Sequence, residues 1–354
     1  MNKILPLFDE KYVIGLLKEK VLPMYPDFLD IKRVKIQPYK KLIWENTYHV
    51  VVEFKTTFLT KDGKRKKLPI ICSAHSSEPR KNVFESLEFL WGHDFGRGYL
   101  TIPHPLFYSD DFRGTFYRGV EGKNLYQYIK EKKFNEIETI VSKTALWFVK
   151  LHNLPTGKAR NFNEENSRIA TVYPGVRHIL WRVKENFPQY EDVFTKAYRI
   201  FDNREKSFFK STDRRWLIHG DAHPENIIKM GSKKIAVIDF TDLCLGDFAR
   251  DIGAFTQQLE YMSSRKIEDQ TYAARIKDIF LDRYFKNSPR RKLNEDIRKR
   301  IELYYYWTSM RTATFFLIKD KAEPERAEAI VDKIKTWLAS AKENVPARYP
   351  KTEE

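Results

Sequence analysis

The sequence predicts an α+β fold in two parts, a small strand-rich N-terminal part and a larger helical one. Three observations carry this expectation. Runs rich in β-branched and aromatic residues at 31–38, 47–59 and 69–74 read as strands of one sheet. Beyond Gly119-Val120-Glu121-Gly122 the pattern is mostly helical. At 354 residues the chain also exceeds the length, roughly 250–300 residues, at which a single core stops growing. The expected division is a strand-rich lobe over 1–118, a helical lobe over 119–345 and a frayed tail at 346–354.

The elements follow in chain order. Residues 8–24 predict a helix that ends near Pro23 and Pro26. The strands at 31–38 and 47–59 come next, and then a polar turn at 60–67. Asp62-Gly63 within that turn is a hairpin signal between two apolar runs. The third strand starts near Pro69. Residues 80–94 set Val83, Phe84, Leu87, Leu90 and Trp91 on one side of a helix. Two short strands are expected at 105–109 and 114–119. Helices are expected at 124–132, 135–153, 166–186, 190–210, 248–263, 268–286, 294–319 and 323–343. A strand-like pair at 216–228 and 234–240 interrupts them.

Composition narrows the classes. Two cysteines, Cys72 and Cys244, exclude a disulfide scaffold and any multi-cysteine metal site. No apolar run approaches the roughly 20 residues that span a bilayer, and Asp9, Glu10 and Lys11 break the N-terminal apolar run of a signal peptide. The chain therefore reads as soluble and cytoplasmic. The formal charge of +16 first suggests nucleic acid. Its clusters, such as Lys61 to Lys67 around the Asp62-Gly63 turn and Arg290 to Arg300, read as solvated faces. No zinc-finger or aromatic RNA-binding signature accompanies them, so charge alone assigns no nucleic-acid partner.

Residues 216–240, WLIHGDAHPENIIKMGSKKIAVIDF, place two apolar stretches around a dense polar cluster. Asp221 and Asn226 lie five residues apart on a loop with Gly220 and Pro224. Asp239 ends the neighbouring strand, so the three can converge. Asn and Asp oxygens suit a hard cation, Mg²⁺ above all. Asp221 is then left to orient or deprotonate a hydroxyl. This division of labour matches phosphoryl transfer, which needs charge neutralisation and in-line placement. The bland alternative is a polar turn capped by its own side chains. It leaves the strand-end Asp239 a coincidence. Zinc on His219 and His223 lacks a third ligand at convincing spacing.

The string from His219 to Ile228 resembles the catalytic loop of the aminoglycoside phosphotransferase and choline kinase-like superfamily. Val237-Ile238-Asp239-Phe240 resembles its metal-binding strand, and Gly246 to Gly253 the segment that follows. Tyr117 to Leu125 is similar to its hinge, and Leu151-His152-Asn153 to the end of its long helix. The resemblance implies a bilobal protein kinase-like fold with ATP between the lobes. It implies Asp221 as catalytic base or hydroxyl-positioning residue, and Asn226 and Asp239 as ligands of Mg²⁺. It implies Asp251 as a brace of the catalytic loop. Residues 116–120, Tyr117, Arg118 and Gly119 among them, would offer backbone groups to the adenine. The expected activity is transfer of the γ-phosphoryl group of ATP to a hydroxyl of a small molecule.

Two features depart from that pattern. No glycine lies between Gly15 and Gly63, where a glycine-rich loop would cover the phosphates. The third strand, Ile70-Ile71-Cys72-Ser73-Ala74-His75-Ser76, lacks the family's nucleotide-contacting lysine, although Glu85 resembles that lysine's acidic partner. His75, Arg80, Lys81, Lys40 and Lys41 are the cations nearby in sequence, and none stands at the usual position. The alternatives are thus an impaired nucleotide-binding pseudokinase and a basic nucleic-acid-binding protein. The short stretch from Asp239 to Asp247 leaves no room for a long activation segment, which favours a small acceptor over a protein one. Tyr304 and Trp307, three apart on a helix, are either an acceptor wall or core packing. Asp247, with Glu225 and Asp242, either meets an amine or caps the helix after it.

Overall fold

The computed structural model describes residues 2–158, 162, 164–171, 175–289 and 292–340. In chain order the elements are α1 (Glu10–Lys20), β1 (Phe28–Ile43), β2 (Tyr48–Thr60), β3 (Arg65–His75), α2 (Lys81–Leu90), β4 (Leu100–Thr101), β5 (Pro105–Ser109) and β6 (Gly114–Arg118). Then come β7 (Lys123–Asn124), α3 (Leu125–Lys130), α4 (Phe134–His152), α5 (Val176–Asn186), α6 (Glu191–Ser211) and β8 (Trp216–Ile218). The last are β9 (Ile227–Met230), β10 (Lys234–Val237), β11 (Cys244–Gly246), α7 (Phe248–Ile267), α8 (Gln270–Asn287), α9 (Glu295–Ile318) and α10 (Pro324–Ser340). This is the α+β architecture of a bilobal kinase-like fold, with an N-terminal antiparallel sheet and a larger helical part. The chain divides into two compact units. One is Met1–Trp147 with Pro224–Leu243, the other Phe148–His223 with Cys244–Glu354.

In the first unit a five-stranded sheet is ordered β1-β2-β3-β6-β5. Its hairpins form where the turn chemistry predicts. Gly63 closes the β2–β3 turn at φ +78, a left-handed value that only glycine adopts without strain. Period-2 alternation then gives the sheet two faces. Tyr48, Val50, Val52 and Phe54 of β2 and Leu68, Ile70, Cys72 and Ala74 of β3 are buried with Val13 and Leu17 of α1. Phe116 of β6 stacks on Phe107 at 4.2 Å within the same core. Val51 and Glu53 of β2, Ile71, Ser73 and His75 of β3, and Thr115 and Tyr117 of β6 point to the opposite face. α2 keeps the expected face, with Val83, Leu87 and Leu90 buried. A second sheet, β4-β10-β9-β7, joins the chain after the hinge to the β9–β10 hairpin.

The second unit is helical around the short pair β8–β11. α7 packs on α8 and α9, and α9 on α10. α7 starts on Asp247, whose side chain accepts from the Ala249 N–H, and α9 starts on Asn294, which accepts from Ile297. Two expectations are corrected. The helix expected over 166–186 begins only at Val176. Residues Glu165–Ser167 and Ile169–Thr171 form 3-10 turns, and Gly175 ahead of the helix is extended, in keeping with Pro174-Gly175 as a breaker. The single strand expected over 216–228 is two, β8 and β9, in different sheets, because the polar loop between them contains Gly220 and Pro224. The expected tail at 346–354 lies outside the described residues.

Candidate functional site

The chain crosses from the second unit to the first between His223 and Pro224. The polar loop therefore contributes to both, and each part is built separately.

In the first unit β9 and β10 pair antiparallel from Met230↔Lys234 to Ile227↔Val237. The Ile238 N–H donates to the Asn226 carbonyl oxygen at 3.0 Å, which carries the ladder one step further. Asn226 and Asp239 thus flank one end of the same hairpin. Asn226 is buried at 6% exposure. Asp239 has φ +66, a left-handed conformation that aspartate tolerates better than most residues and that clusters at functional sites. Its Oδ1 accepts from the Thr241 hydroxyl at 2.8 Å, and Oδ2 has no hydrogen-bond partner among the described residues. An amide oxygen and a carboxylate with an open oxygen, at one strand end, fit a hard divalent cation. Asp239 also reaches the hinge electrostatically. Burial first, and then the Asp239 charge, push the Tyr117 phenol up.

The segment expected to serve as the hinge runs from β6 to β7, inside the first unit. The Arg118 N–H donates to the His104 carbonyl at 2.8 Å and the Gly119 N–H to the Pro69 carbonyl at 2.8 Å. Both donors are therefore spent inside the unit, while the Val120 N–H has no backbone partner among the described residues. Gly122 is required. A Cβ there would lie 2.0 Å from the Lys229 carbonyl oxygen, so only glycine lets β7 approach β9.

In the second unit Asp251, at 1% exposure on α7, gathers the start of the polar loop. Its Oδ2 accepts from the His219 N–H at 2.7 Å and its Oδ1 from the Gly220 N–H at 3.0 Å. His152, at the end of α4, holds the same carboxylate through Nε2 at 3.0 Å, and its Nδ1 meets the Tyr284 hydroxyl at 2.8 Å. Burial alone would raise the Asp251 pKa, but His152, His219 and the Gly220 N–H outweigh it and the value falls below the ordinary one. Arg250 Nη2 donates to the Gly220 carbonyl at 3.4 Å from the other side. Asp221 follows, with its N–H on His219 Nδ1 at 3.3 Å and its carboxylate 3.6 Å from His223 Nε2. Partial desolvation raises its pKa although the side chain is half exposed, while His223, His219 and Arg311 outweigh that and hold it at about 2. Asp221 therefore carries its charge throughout the neutral range.

The sequence matches the profile of the phosphotransferase enzyme family over residues 44–290. The chain belongs to that family. No curated protein matches its sequence. Among solved structures, an ethanolamine kinase of Plasmodium vivax is 12% identical, with 87% of this chain and 83% of that one covered at a TM-score of 0.52. The choline kinase LicA of Streptococcus pneumoniae is 13% identical, with 93% and 99% covered and a TM-score of 0.51. The amicoumacin kinase hAmiN, solved with AMP-PNP and Ca²⁺, is 14% identical, with 96% of each chain covered and a TM-score of 0.52. At such identities the likeness is one of fold.

Around these residues the structure decides between readings that the sequence left open. Tyr304 and Trp307 are buried at 1% and 3%, and the Tyr304 hydroxyl donates to Glu205 at 3.1 Å, so they pack the core. Asp247 is equally buried, caps α7 and pairs with Arg300. Glu85 is half-buried and forms no ion pair with a described residue. Sequence reasoning missed Tyr284, Thr241 and Asn82. Tyr284, on α8, lies 132 residues from His152 and nothing local marks it. Thr241, two residues after Asp239, is a turn residue whose hydroxyl could have been read as that aspartate's partner.

Proposed function

We propose that this phosphotransferase moves the γ-phosphoryl group of ATP to the hydroxyl of a small molecule, with Asp221 positioning that hydroxyl. The observation that carries the assignment is the hairpin end that sets Asn226 beside the strand-end Asp239, whose charge also reaches Tyr117 of the hinge. Asn226 and Asp239 would hold the magnesium ion. When bound, it would neutralise phosphate charge and orient the triphosphate. The Val120 N–H is the hinge donor left for the adenine, beside Tyr117, Arg118 and Gly119.

A carboxylate held at about 2 is a weak base. Asp221 therefore orients the acceptor O–H and takes its proton late, once the bond to phosphorus is forming and the hydroxyl has become acidic. His219, Gly220 and Asp251 fix the backbone from which Asp221 projects, which favours in-line placement. The acceptor is a small molecule, and its identity is a matter for the assay.

The test is ATP turnover against a panel of small hydroxyl compounds, by wild type and Asp221→Asn, with and without a chelator of divalent cations. Transfer by wild type alone, lost on chelation, is the expected result. Nucleotide binding with no transfer to any acceptor would leave a nucleotide-binding protein and end this reading.

A further inference from the structure

The sheet face opposite α1 lacks the cation that a triphosphate needs where the family resemblance places it. On β3 that face carries Ile71, Ser73 and His75. The register shows where a cation has moved. Lys40 of β1 pairs with Val51 of β2, Val51 with Ser73 of β3, and Ser73 with Thr115 of β6. Lys40 and Ser73 thus stand in one row on one face, two strands or roughly 9–10 Å apart. We propose that Lys40, with His49 and His75 beside it, receives the phosphates of the nucleotide in place of a β3 lysine. This rests on the phosphotransferase reading above.

The surroundings of Lys40 single it out. Its Nζ lies 3.5 Å from His49 Nε2, so the ammonium is on the Val51 face. The His49 and His75 rings meet edge to face at 4.6 Å. His75 Nδ1 accepts from the Ser77 and Glu78 N–H groups at 3.2 and 3.0 Å, which leaves its Nε2–H as a donor. Lys41 is on the other face, 4.5 Å over the Phe8 ring. Lys55 approaches the Glu53 carboxylate at 3.9 Å. Arg80 is 8% exposed and faces Glu78 at 3.5 Å.

A path of hydrogen bonds joins this row to Asp239. Asp239 holds Thr241, and the Thr241 carbonyl accepts from Asn82 Nδ2 at 3.1 Å. Asn82 is two residues after Arg80, whose carbonyl accepts from Thr115 Oγ1 in the row of Lys40. The proposed metal ligand and the proposed phosphate cation therefore sit on one framework within the first unit. The field there is positive. Burial first, then Lys40, His75 and Arg80, bring His49 down to about 4, and burial, Arg80 and Lys40 lower His75 as well. Both imidazoles are then neutral donors at pH 7, where Lys40 and Arg80 outweigh the opposing charge of Glu78.

Calorimetric titration of the full chain with ATP, ADP and adenosine tests this. Lys40→Ala is expected to weaken ATP and ADP by about ten- to hundredfold, the range of a lost charge-assisted hydrogen bond, and to leave adenosine unchanged. Lys40→Arg should recover most of the loss, and His75→Gln should lose several-fold. Lys41→Ala, on the other face, is the control and should bind ATP as wild type does. Unchanged adenosine affinity also certifies that Lys40→Ala is folded. If wild type binds ATP and Lys40→Ala binds it equally well, the assignment of Lys40 is overturned while the phosphotransferase reading stands. If wild type binds no ATP, both fall.

Discussion

Asp251→Asn is the sharpest test of how the polar loop is held. One buried carboxylate accepts from the His219 N–H, the Gly220 N–H and His152 Nε2. Asparagine has the same shape but only one acceptor oxygen. Whichever way it turns, an N–H that now meets an oxygen will face an amide NH₂. An orphaned buried donor costs about 1–3 kcal/mol, and loss of charge weakens the bonds that remain, so a total of about 3 kcal/mol is expected. For a unit of this size that lowers the midpoint of thermal unfolding by about 6–12 °C, at about 2–4 °C per kcal/mol. Release of the Gly220 amide also displaces Asp221, and a misplacement of about 1 Å costs roughly hundredfold in transfer. The sign with pH is fixed. The Asp251 pKa lies below its ordinary 3.8, so its contribution is present above that value and is lost as pH falls through the lowered one, in wild type only. Thermal unfolding followed by tryptophan fluorescence, together with phosphoryl transfer at neutral pH, reads both effects. A midpoint within about 2 °C of wild type and an unchanged rate would refute the bracing argument.

Three further outcomes are expected. Asp221→Asn should lower kcat by about 10²–10⁴-fold with little change in ATP affinity, and wild-type kcat should show no limb from Asp221 above pH 4 or so, because the group stays ionised; a pH–rate profile checks both. Burial raises Glu205 from 4.5 to about 7, so its stabilising protonated form is fully present below pH 4.5 and is lost as pH rises to about 7. Glu205→Gln should flatten that dependence and raise stability at pH 8 by up to about 3 kcal/mol, read from unfolding midpoints between pH 4 and 8. Gly122→Ala should destabilise by about 2 kcal/mol or more through its clash with the Lys229 carbonyl, whereas Gly15→Ala, with open space around it in α1, should stabilise by about 0.5–1 kcal/mol; equal melting temperatures for the two would contradict the close approach of β7 and β9.

Local chemistry made much of this protein legible in its sequence. The β-branched and aromatic run at 47–59 marked β2, whose period of two then sets its buried face with no distant information. The hairpin at Asp62-Gly63 followed from the conformations those residues favour, and the cap at Asp247 was one of the two roles its position allowed. The polar loop stood out because a dense run of His, Asp and Asn between apolar strands has few structural uses. What sequence could not read were choices made by distant partners. Trp307 and Tyr304 repeat at helical spacing whether they line a pocket or fill a core, and only their 3% and 1% exposure decides.

The sequence by itself determined the strands of the N-terminal sheet, most helices and the residue types around Asp221, since each depends on neighbours a few positions away. Only the tertiary structure decided that Asp251, His152 and Tyr284 form one buried network, from α7, α4 and α8. Only it decided that Lys40 shares a row with Ser73 while Lys41 does not. Cross-strand register and buried charge are settled by the free energy of the whole core, in which a slip of one residue would turn every side chain of a strand to the other face.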